Sequence, residues 1–139
     1  MSEIILYYTL GGTCKKYAEN RATEDDADVQ QVLETKKRGM ITAFCPGALQ
    51  AMSQKSSKII PIEKSLDDYD KIVLVTPIWA GHQVPAMNSI AALIPQGKEV
   101  EIVAISGQGS GYGETLANKI KEAGGQVSGI TNIKSGSMK

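Results

Sequence analysis

The sequence has no long hydrophobic run, no excess of charge of either sign and few aromatic residues. No apolar stretch approaches the roughly 20 residues that a helix needs to span a bilayer, and the first eight residues lack the basic start and long apolar stretch of a secretory signal. Fifteen basic and fifteen acidic residues cancel, which excludes the strongly basic surface typical of proteins that bind nucleic acids or acidic membranes. These absences predict a cytoplasmic protein with neither nucleic acid nor membrane among its partners.

Cysteine is also scarce, because only Cys14 and Cys45 are present. Two cysteines are too few for a disulfide framework, and they lack the paired spacing of metal ligands. We therefore predict two reduced thiols and no metal site. The length of 139 residues, with 42% hydrophobic residues, suits one domain over residues 1–139 with a real core.

Short β-prone runs alternate with helical segments along the whole chain. The predicted strands are residues 3–8, 28–34, 71–76, 99–106 and 126–133. The predicted helices start at a Thr13 cap and continue at residues 41–54, 84–94 and 114–123. Residues 71–76 (KIVLVT) form the strongest strand signal, since a nearly continuous β-branched run indicates burial on both faces.

This alternation predicts a doubly wound α/β fold, in which helices cover both faces of a parallel sheet. Ligands of such folds bind beyond the carboxyl ends of the strands, where the strand order reverses. Three loops follow predicted strands at that edge: the first loop (residues 9–14), the second loop (residues 76–82) and the third loop (residues 106–113). We therefore expect any ligand site to lie there.

The first loop consists of Thr9, Leu10, Gly11, Gly12, Thr13 and Cys14. It joins the end of a buried strand to the start of a helix, where backbone N–H groups and the helix dipole favour an anion such as phosphate. A glycine pair before a helix is equally typical of an ordinary tight turn. The loop by itself leaves both interpretations open.

The second loop consists of Thr76, Pro77, Ile78, Trp79, Ala80, Gly81 and His82. It places the single tryptophan of the chain immediately after the predicted central strand. A planar ligand stacked on the indole would contribute roughly 0.5–1.5 kcal/mol beyond the area that it buries. The alternative is that Trp79 packs against its own protein.

The third loop consists of Ser106, Gly107, Gln108, Gly109, Ser110, Gly111, Tyr112 and Gly113. Four glycines in eight residues indicate either unusual backbone dihedral angles or the close approach of another group to the backbone. Main-chain groups in such a loop can bond the polar edge of a flat heterocycle.

Together these residues resemble the short-chain flavodoxins and flavodoxin-like FMN-binding proteins, from residue 4 to about residue 133. The match is strongest in the sequence PIWAG at residues 77–81. The resemblance implies a flavodoxin-like sheet of five parallel strands in the order 2-1-3-4-5, with FMN as the cofactor. It also implies a fifth helix, whereas SGSMK follows the last predicted strand. We expect the sheet surface left uncovered there to associate with a second copy or another partner.

The same resemblance assigns roles to the three loops. The first loop would bind the FMN phosphate, Trp79 would flank the isoalloxazine, and the peptide around Ala80 and Gly81 would contact flavin N5. Residues 106–111 would approach the pyrimidine edge. Tyr112 would either cover the ring or pack at the start of the next helix. His82 is expected to be an ordinary solvated residue, with stabilisation of reduced flavin as the alternative.

The first loop departs from the family pattern Ser/Thr-x-Thr/Ser-Gly-Asn-Thr. Thr9 and Gly12 match it, but Gly11 lacks a hydroxyl, Thr13 replaces the asparagine and Cys14 offers only a thiol, which is a weak donor. Loss of two neutral hydrogen bonds predicts an FMN affinity lower by roughly one to two orders of magnitude. Cys14 is expected to be a packed substitute for threonine, with a reactive thiol as the alternative.

Three functions remain open at this point. In the first, the protein is an electron carrier without catalytic residues, which passes electrons to a redox partner protein or a small-molecule acceptor. In the second, it is an NAD(P)H-dependent FMN or quinone reductase on the same fold. In the third, it is a flavodoxin-like module with weak or lost FMN binding. The zero net charge predicts weak electrostatic steering towards a basic redox partner.

Overall fold

The computed structural model describes residues 2–9, 12–33, 59–60, 62, 65–79, 82–107, 109 and 111–134. The predicted helix at residues 41–54 lies outside these described residues. The elements are β1 (Glu3–Tyr7), α1 (Thr13–Asp25), β2 (Asp28–Gln31), a 3₁₀ turn (Leu66–Asp68), β3 (Lys71–Trp79), β4 (His82–Gln83), α2 (Pro85–Ala91), β5 (Glu99–Ser106), α3 (Glu114–Glu122) and β6 (Gln126–Lys134).

The five long strands are parallel and lie in the order β2-β1-β3-β5-β6, which confirms the predicted doubly wound sheet. Strand β3 occupies the centre, where Ile72 pairs with Ile4 of β1 on one side and with Val100 of β5 on the other. All three side chains are fully buried. The continuous apolar run of β3 follows from this position, because both faces of a central parallel strand are covered.

Strand β3 is longer than predicted and carries a small hairpin at its end. The expected strand stopped at Thr76, but the ladder with β5 includes Pro77, and β3 continues to Trp79. The chain then reverses, and the two residues of β4 pair antiparallel with Ile78 and Trp79. The prediction was wrong because proline usually ends a strand, whereas Pro77 lies at the last position of the ladder with β5, where a missing N–H costs little.

The ends of several other elements also differ from prediction. Helix α1 is capped by Gly12 and not by Thr13. Gly12 has a φ of 95°, in the left-handed region that glycine enters without a steric cost. Strand β2 ends at Gln31 and α2 at Ala91, each three residues before its predicted end. Weak periodicity at the termini explains these differences, because helix and strand ends depend on tertiary contacts.

Among the described residues, the core forms two clusters on opposite faces of the sheet. On one face, Leu74 of β3 packs with Met87 of α2 and Ile120 of α3. On the other face, Val73 packs with Ala18 of α1. Successive residues of a strand point to opposite faces, so β3 contributes to both clusters. The sheet is therefore held between α2 and α3 on one side and α1 on the other.

An ion-pair network ties α1 across the sheet to β5. Arg21 donates from Nη1 and Nη2 to the two carboxylate oxygens of Glu101, at 2.6 and 2.8 Å. Lys71 Nζ lies 2.9 Å from Glu101 Oε1, and Arg21 Nε donates to Asp25 at 3.0 Å. Hydrogen bonding from Arg21 lowers the pKa of Glu101 to about 2, against the opposing effect of burial. The bidentate geometry fixes the direction in which α1 crosses the sheet.

Within the part of the chain that the structure describes, no helix is long and apolar enough to cross a membrane. The large hydrophobic side chains that are exposed in the same part are Leu33, Ile60 and Leu93. Ile133 of β6, on the same face as α1, is only partly buried. Association through an uncovered part of this face stays a prediction.

Replacing Glu101 tests the ion-pair network. Because its pKa in the folded protein is below the ordinary value of 4.5, Glu101 stabilises the fold above about pH 4.5, and this contribution is lost as the pH falls towards 2. We expect Glu101→Gln to lower the free energy of unfolding at pH 7 by about 2 kcal/mol. The difference from the wild-type protein should shrink steadily between pH 4.5 and 2 in urea unfolding followed by circular dichroism.

The matched control is Glu99→Gln on the same strand, since the Glu99 side chain is 46% exposed and lies 3.8 Å from Lys71. Its effect on stability should stay within about 0.5 kcal/mol. Equal effects of the two substitutions would show that the network does not depend on Glu101.

Candidate functional site

Three loops meet at the carboxyl edge of the sheet because β1, β3 and β5 are parallel neighbours. The first loop follows β1, the second forms the end of β3 and its hairpin, and the third follows β5. The chain order reverses at β1, since β2 lies on one side of it and β3 on the other. A crevice beside such a reversal is the usual ligand position in open α/β sheets.

The first loop ends in a turn that is fixed by a side chain. Thr9 Oγ1 accepts a hydrogen bond of 2.9 Å from the N–H of Gly12, which leaves the threonine hydroxyl proton able to donate. The N–H groups of the first turn of α1 have no carbonyl one turn earlier to bond, so they are directed out of the helix end. Leu10 and Gly11 lie outside the described residues. The first loop thus provides a set of donors at the positive end of a helix dipole.

The charges at the start of α1 also favour an anion. The first turn of the helix contains no acidic residue, and Lys15 and Lys16 are both exposed there. Cations at a helix N-terminus oppose the helix dipole and cost some stability. A bound anion would offset this cost, and a helix N-terminus is a common phosphate site.

The side chain of Cys14, at the start of α1, is on the face of the helix that is turned away from solvent. Its side chain is 2% exposed and belongs to the apolar cluster that includes Ile5 and Val75. Burial raises the pKa of its thiol to about 12, so the thiol stays protonated at neutral pH. Such buried, apolar surroundings are typical of a cysteine that packs in the place of a threonine. The contribution that Cys14 can make to a ligand in the first loop is its backbone N–H.

The second loop differs from an open loop because its main chain is paired. Thr76 is fully buried, and Pro77 and Ile78 are partly buried. The backbone of Trp79 pairs antiparallel with that of His82, and the backbone of Ile78 pairs with that of Gln83. Ala80 and Gly81 lie outside the described residues. The pairing fixes the position of the Trp79 main chain at the end of β3.

The third loop is packed along one side against β6. A Cβ placed on Gly109 would lie 2.7 Å from Cβ of Lys134, and one on Gly113 would lie 2.6 Å from Cγ2 of Ile130. Both glycines have positive φ, at 77° and 106°. Glycine is therefore required at these two positions by the fold itself. Ser106 Oγ adds an internal bond by accepting from the N–H of Gly109 at 2.8 Å.

The other side of the third loop is free of close contacts with the described part of the chain. No atom of the described residues, apart from chain neighbours, lies within 4 Å of a Cβ placed on Gly107 or Gly111, and the same holds for Gly12 in the first loop. The φ of Gly107 lies outside the left-handed region, so neither conformation nor packing requires glycine there. A glycine at 107 leaves room for another molecule to approach the backbone closely. Gln108 and Ser110 lie outside the described residues.

Asn132 of β6 binds the main chain of the third loop, a contact that sequence reasoning missed. The N–H of Tyr112 donates to Asn132 Oδ1, and Asn132 Nδ2 donates to the carbonyl of Tyr112, both at 3.1 Å. The main chain of Tyr112 is thus bound at both polar groups. The available signal was a polar residue two positions after Ile130, on the same strand face as a residue that packs against the core.

No family model and no curated protein matches the sequence. Solved structures do match it. A flavoprotein from Lactobacillus acidophilus, crystallised in complex with FMN, has a TM-score of 0.74 at 20% identity, over 93% of this chain and 91% of its own. A flavodoxin from the domain Archaea has a TM-score of 0.57 at 18% identity, over 96% and 85%. The flavodoxin of Megasphaera elsdenii has a TM-score of 0.51 at 18% identity, over 93% and 83%. At such identities the similarity establishes a shared fold.

We expect alanine substitutions on the two sides of the third loop to have different effects on the free energy of unfolding. We expect Gly113→Ala to lower the free energy of unfolding by about 2 kcal/mol, because the new methyl group would be strained at positive φ and would meet Ile130. We expect Gly107→Ala to leave it unchanged or raised by up to about 1 kcal/mol. Urea unfolding followed by circular dichroism measures both values. A similar loss in the two variants would contradict the distinction between a packed and an open side.

Proposed function

We propose that this protein, which has the flavodoxin-like fold, binds FMN at the three loops and acts as an electron-transfer protein. One observation carries the proposal. The first and third loops lie at the carboxyl edge beside the reversal of strand order, and a Cβ on Gly12, Gly107 or Gly111 there would meet no atom of the described residues within 4 Å, chain neighbours aside. Structures that share the fold include one solved in complex with FMN.

The residues present fit the chemistry of FMN. Its phosphate requires an anion site, which the N-terminus of α1 supplies with Thr9 and two exposed lysines, without an acidic residue in the first turn. Its flat ring system requires close approach to main-chain donors and acceptors, which glycines without neighbours at 107 and 111 allow. It also requires an apolar face, for which the second loop supplies Ile78 and Trp79.

The proposal divides the binding among the loops. Residues 9–14 hold the phosphate, with Cys14 acting through its backbone N–H. Trp79, with Thr76, Pro77 and Ile78 before it and Ala80 and Gly81 after it, borders the ring. The main chain of Ser106, Gly107, Gln108, Gly109 and Gly111 bonds the polar edge. Bound FMN supplies reversible uptake and release of electrons, while the protein binds and orients it and needs no catalytic side chain.

The partners of this activity belong to the same proposal. A redox partner protein or a small-molecule electron acceptor would receive the electrons, with weak electrostatic steering because the net charge is zero. A cytoplasmic location and a homodimer are part of the proposal as well.

Sedimentation of the purified protein over a wide concentration range tests the dimer, and a constant monomer mass would exclude it.

Titration of the purified protein with FMN, followed by visible absorption and flavin fluorescence, tests the proposed function. We expect perturbed absorption bands and quenched fluorescence, as an aromatic residue near the ring would cause. Absence of binding up to about 1 mM FMN would leave only a module that has lost its cofactor. Rapid bleaching of bound FMN by NADPH alone would instead indicate a reductase.

A pair of glycine variants locates the site. We expect Gly107→Ala to weaken FMN binding about tenfold, equivalent to about 1.4 kcal/mol, because its methyl group would project from the open side of the third loop. The matched control is Gly129→Ala on β6, which also has no atom within 4 Å of the new Cβ and lies away from the carboxyl edge. Its affinity should stay within about twofold of the wild-type value. Equal affinities of both variants and the wild-type protein would place FMN elsewhere.

A further inference from the structure

We propose that Asn132 is a positioning residue for FMN, which sets the affinity by holding the third loop in its binding conformation. The inference rests on the proposed function, because it concerns the loop that would bond the flavin edge. Asn132 itself lies on β6 and would act through the main chain of Tyr112. Nothing in its own position requires contact with the ligand.

The contact between Asn132 and Tyr112 is a two-point clamp. Oδ1 accepts from the N–H of Tyr112 and Nδ2 donates to its carbonyl, each at 3.1 Å. Only one orientation of the side-chain amide satisfies both bonds, so the two interactions fix one another. An amide side chain here bonds the loop as a neighbouring strand would, because it offers one acceptor and one donor to a single residue.

The clamp is the middle one of three contacts between the third loop and one face of β6. Gly109 lies against Lys134, and Gly113 lies against Ile130. Residues 130, 132 and 134 alternate along the strand and therefore share a face. The contacts at Gly109 and Gly113 are van der Waals contacts that leave no room for a side chain on either glycine. The contact at Asn132 consists of hydrogen bonds, which are directional. Asn132 is thus the residue that fixes the orientation of the loop as well as its position.

Fixing Tyr112 also orients the adjacent glycine on the open side. The peptide between Gly111 and Tyr112 is trans, so the carbonyl of Gly111 points away from the Tyr112 N–H that is bound to Asn132. Gly111 has a φ of 83° and no atom within 4 Å of a Cβ placed on it. Without the clamp, such a glycine has a wide choice of conformations. Asn132 therefore lowers the entropy that the loop would lose when a ligand binds.

The test compares three variants with the wild-type protein. Asn132→Ala removes both bonds. Asn132→Asp keeps an acceptor for the Tyr112 N–H but places a second carboxylate oxygen against the Tyr112 carbonyl at pH 7, whereas its protonated form at low pH regains a donor. Thr131→Ala, at the exposed neighbouring position on the opposite strand face, is the matched control. FMN affinity is measured by fluorescence titration, and hydrogen exchange of the Tyr112 amide is measured without FMN.

We expect Asn132→Ala to weaken FMN binding by about tenfold and to speed exchange of the Tyr112 amide by at least about tenfold, while Thr131→Ala changes either value by less than about twofold. Asn132→Asp should bind about tenfold more weakly than the wild-type protein at pH 7. It should recover to within about threefold of the wild-type protein measured at the same pH of about 4. A side chain that only stabilises the fold would leave the FMN affinity of the folded Asn132→Asp variant unchanged at both pH values, so this comparison remains decisive if Asn132→Ala does not fold.

Two results would overturn the inference, and they have different meanings. If the wild-type protein binds FMN and both Asn132 variants bind it within about twofold, Asn132 does not position the loop, and the proposed function is unaffected. If the wild-type protein binds no FMN, the proposed function fails and the inference fails with it. In that case the exchange rate of Tyr112 still reports whether the clamp exists in solution.

Discussion

The parallel alignment of β1, β3 and β5 is the constraint on which the candidate site depends. Because these strands are neighbours and run in one direction, the loops that follow them must emerge together at one edge of the sheet. The chain order reverses at β1, and ligands of open α/β sheets usually bind beside such a reversal. The buried apolar runs of the strands, of which Ile72 and Val73 are examples, enforce this alignment, and the Arg21–Glu101 pair holds α1 in place above it.

The third loop serves the fold on one side and, under the proposed function, would face the ligand on the other. Its packed side is formed by glycines that have no room for a side chain, and its open side by glycines whose Cβ would meet no atom of the described residues within 4 Å, chain neighbours aside. Strand β6, at the edge of the sheet, provides the surface on which the packed side lies. The edge strand therefore holds the third loop through Asn132 although it lies outside the three strands that the loops follow.

Sequence patterns predicted the strands and their arrangement well because apolar, β-branched runs report burial directly. They failed at Pro77, because the β3–β5 ladder accommodates a residue that normally ends a strand. They also failed at Gly12, because the turn in which its N–H bonds Thr9 makes Gly12 the N-cap of α1. The glycines of the third loop were recognised as a group, but their two different roles depend on distant residues of β6. Asn132 was missed for the same reason, since its partner lies 20 positions away in the chain.

The most direct test of the account is the mapping of FMN onto the protein by backbone amide chemical shifts. The account predicts that FMN shifts the amides of the first turn of α1, including Thr13 and Lys15, together with those of Gly107 and Gly111. Amides away from the carboxyl edge of the sheet, such as that of Gly129 in β6, should not change. Absence of any shift at saturating FMN, or shifts confined to residues away from the three loops, would contradict the account.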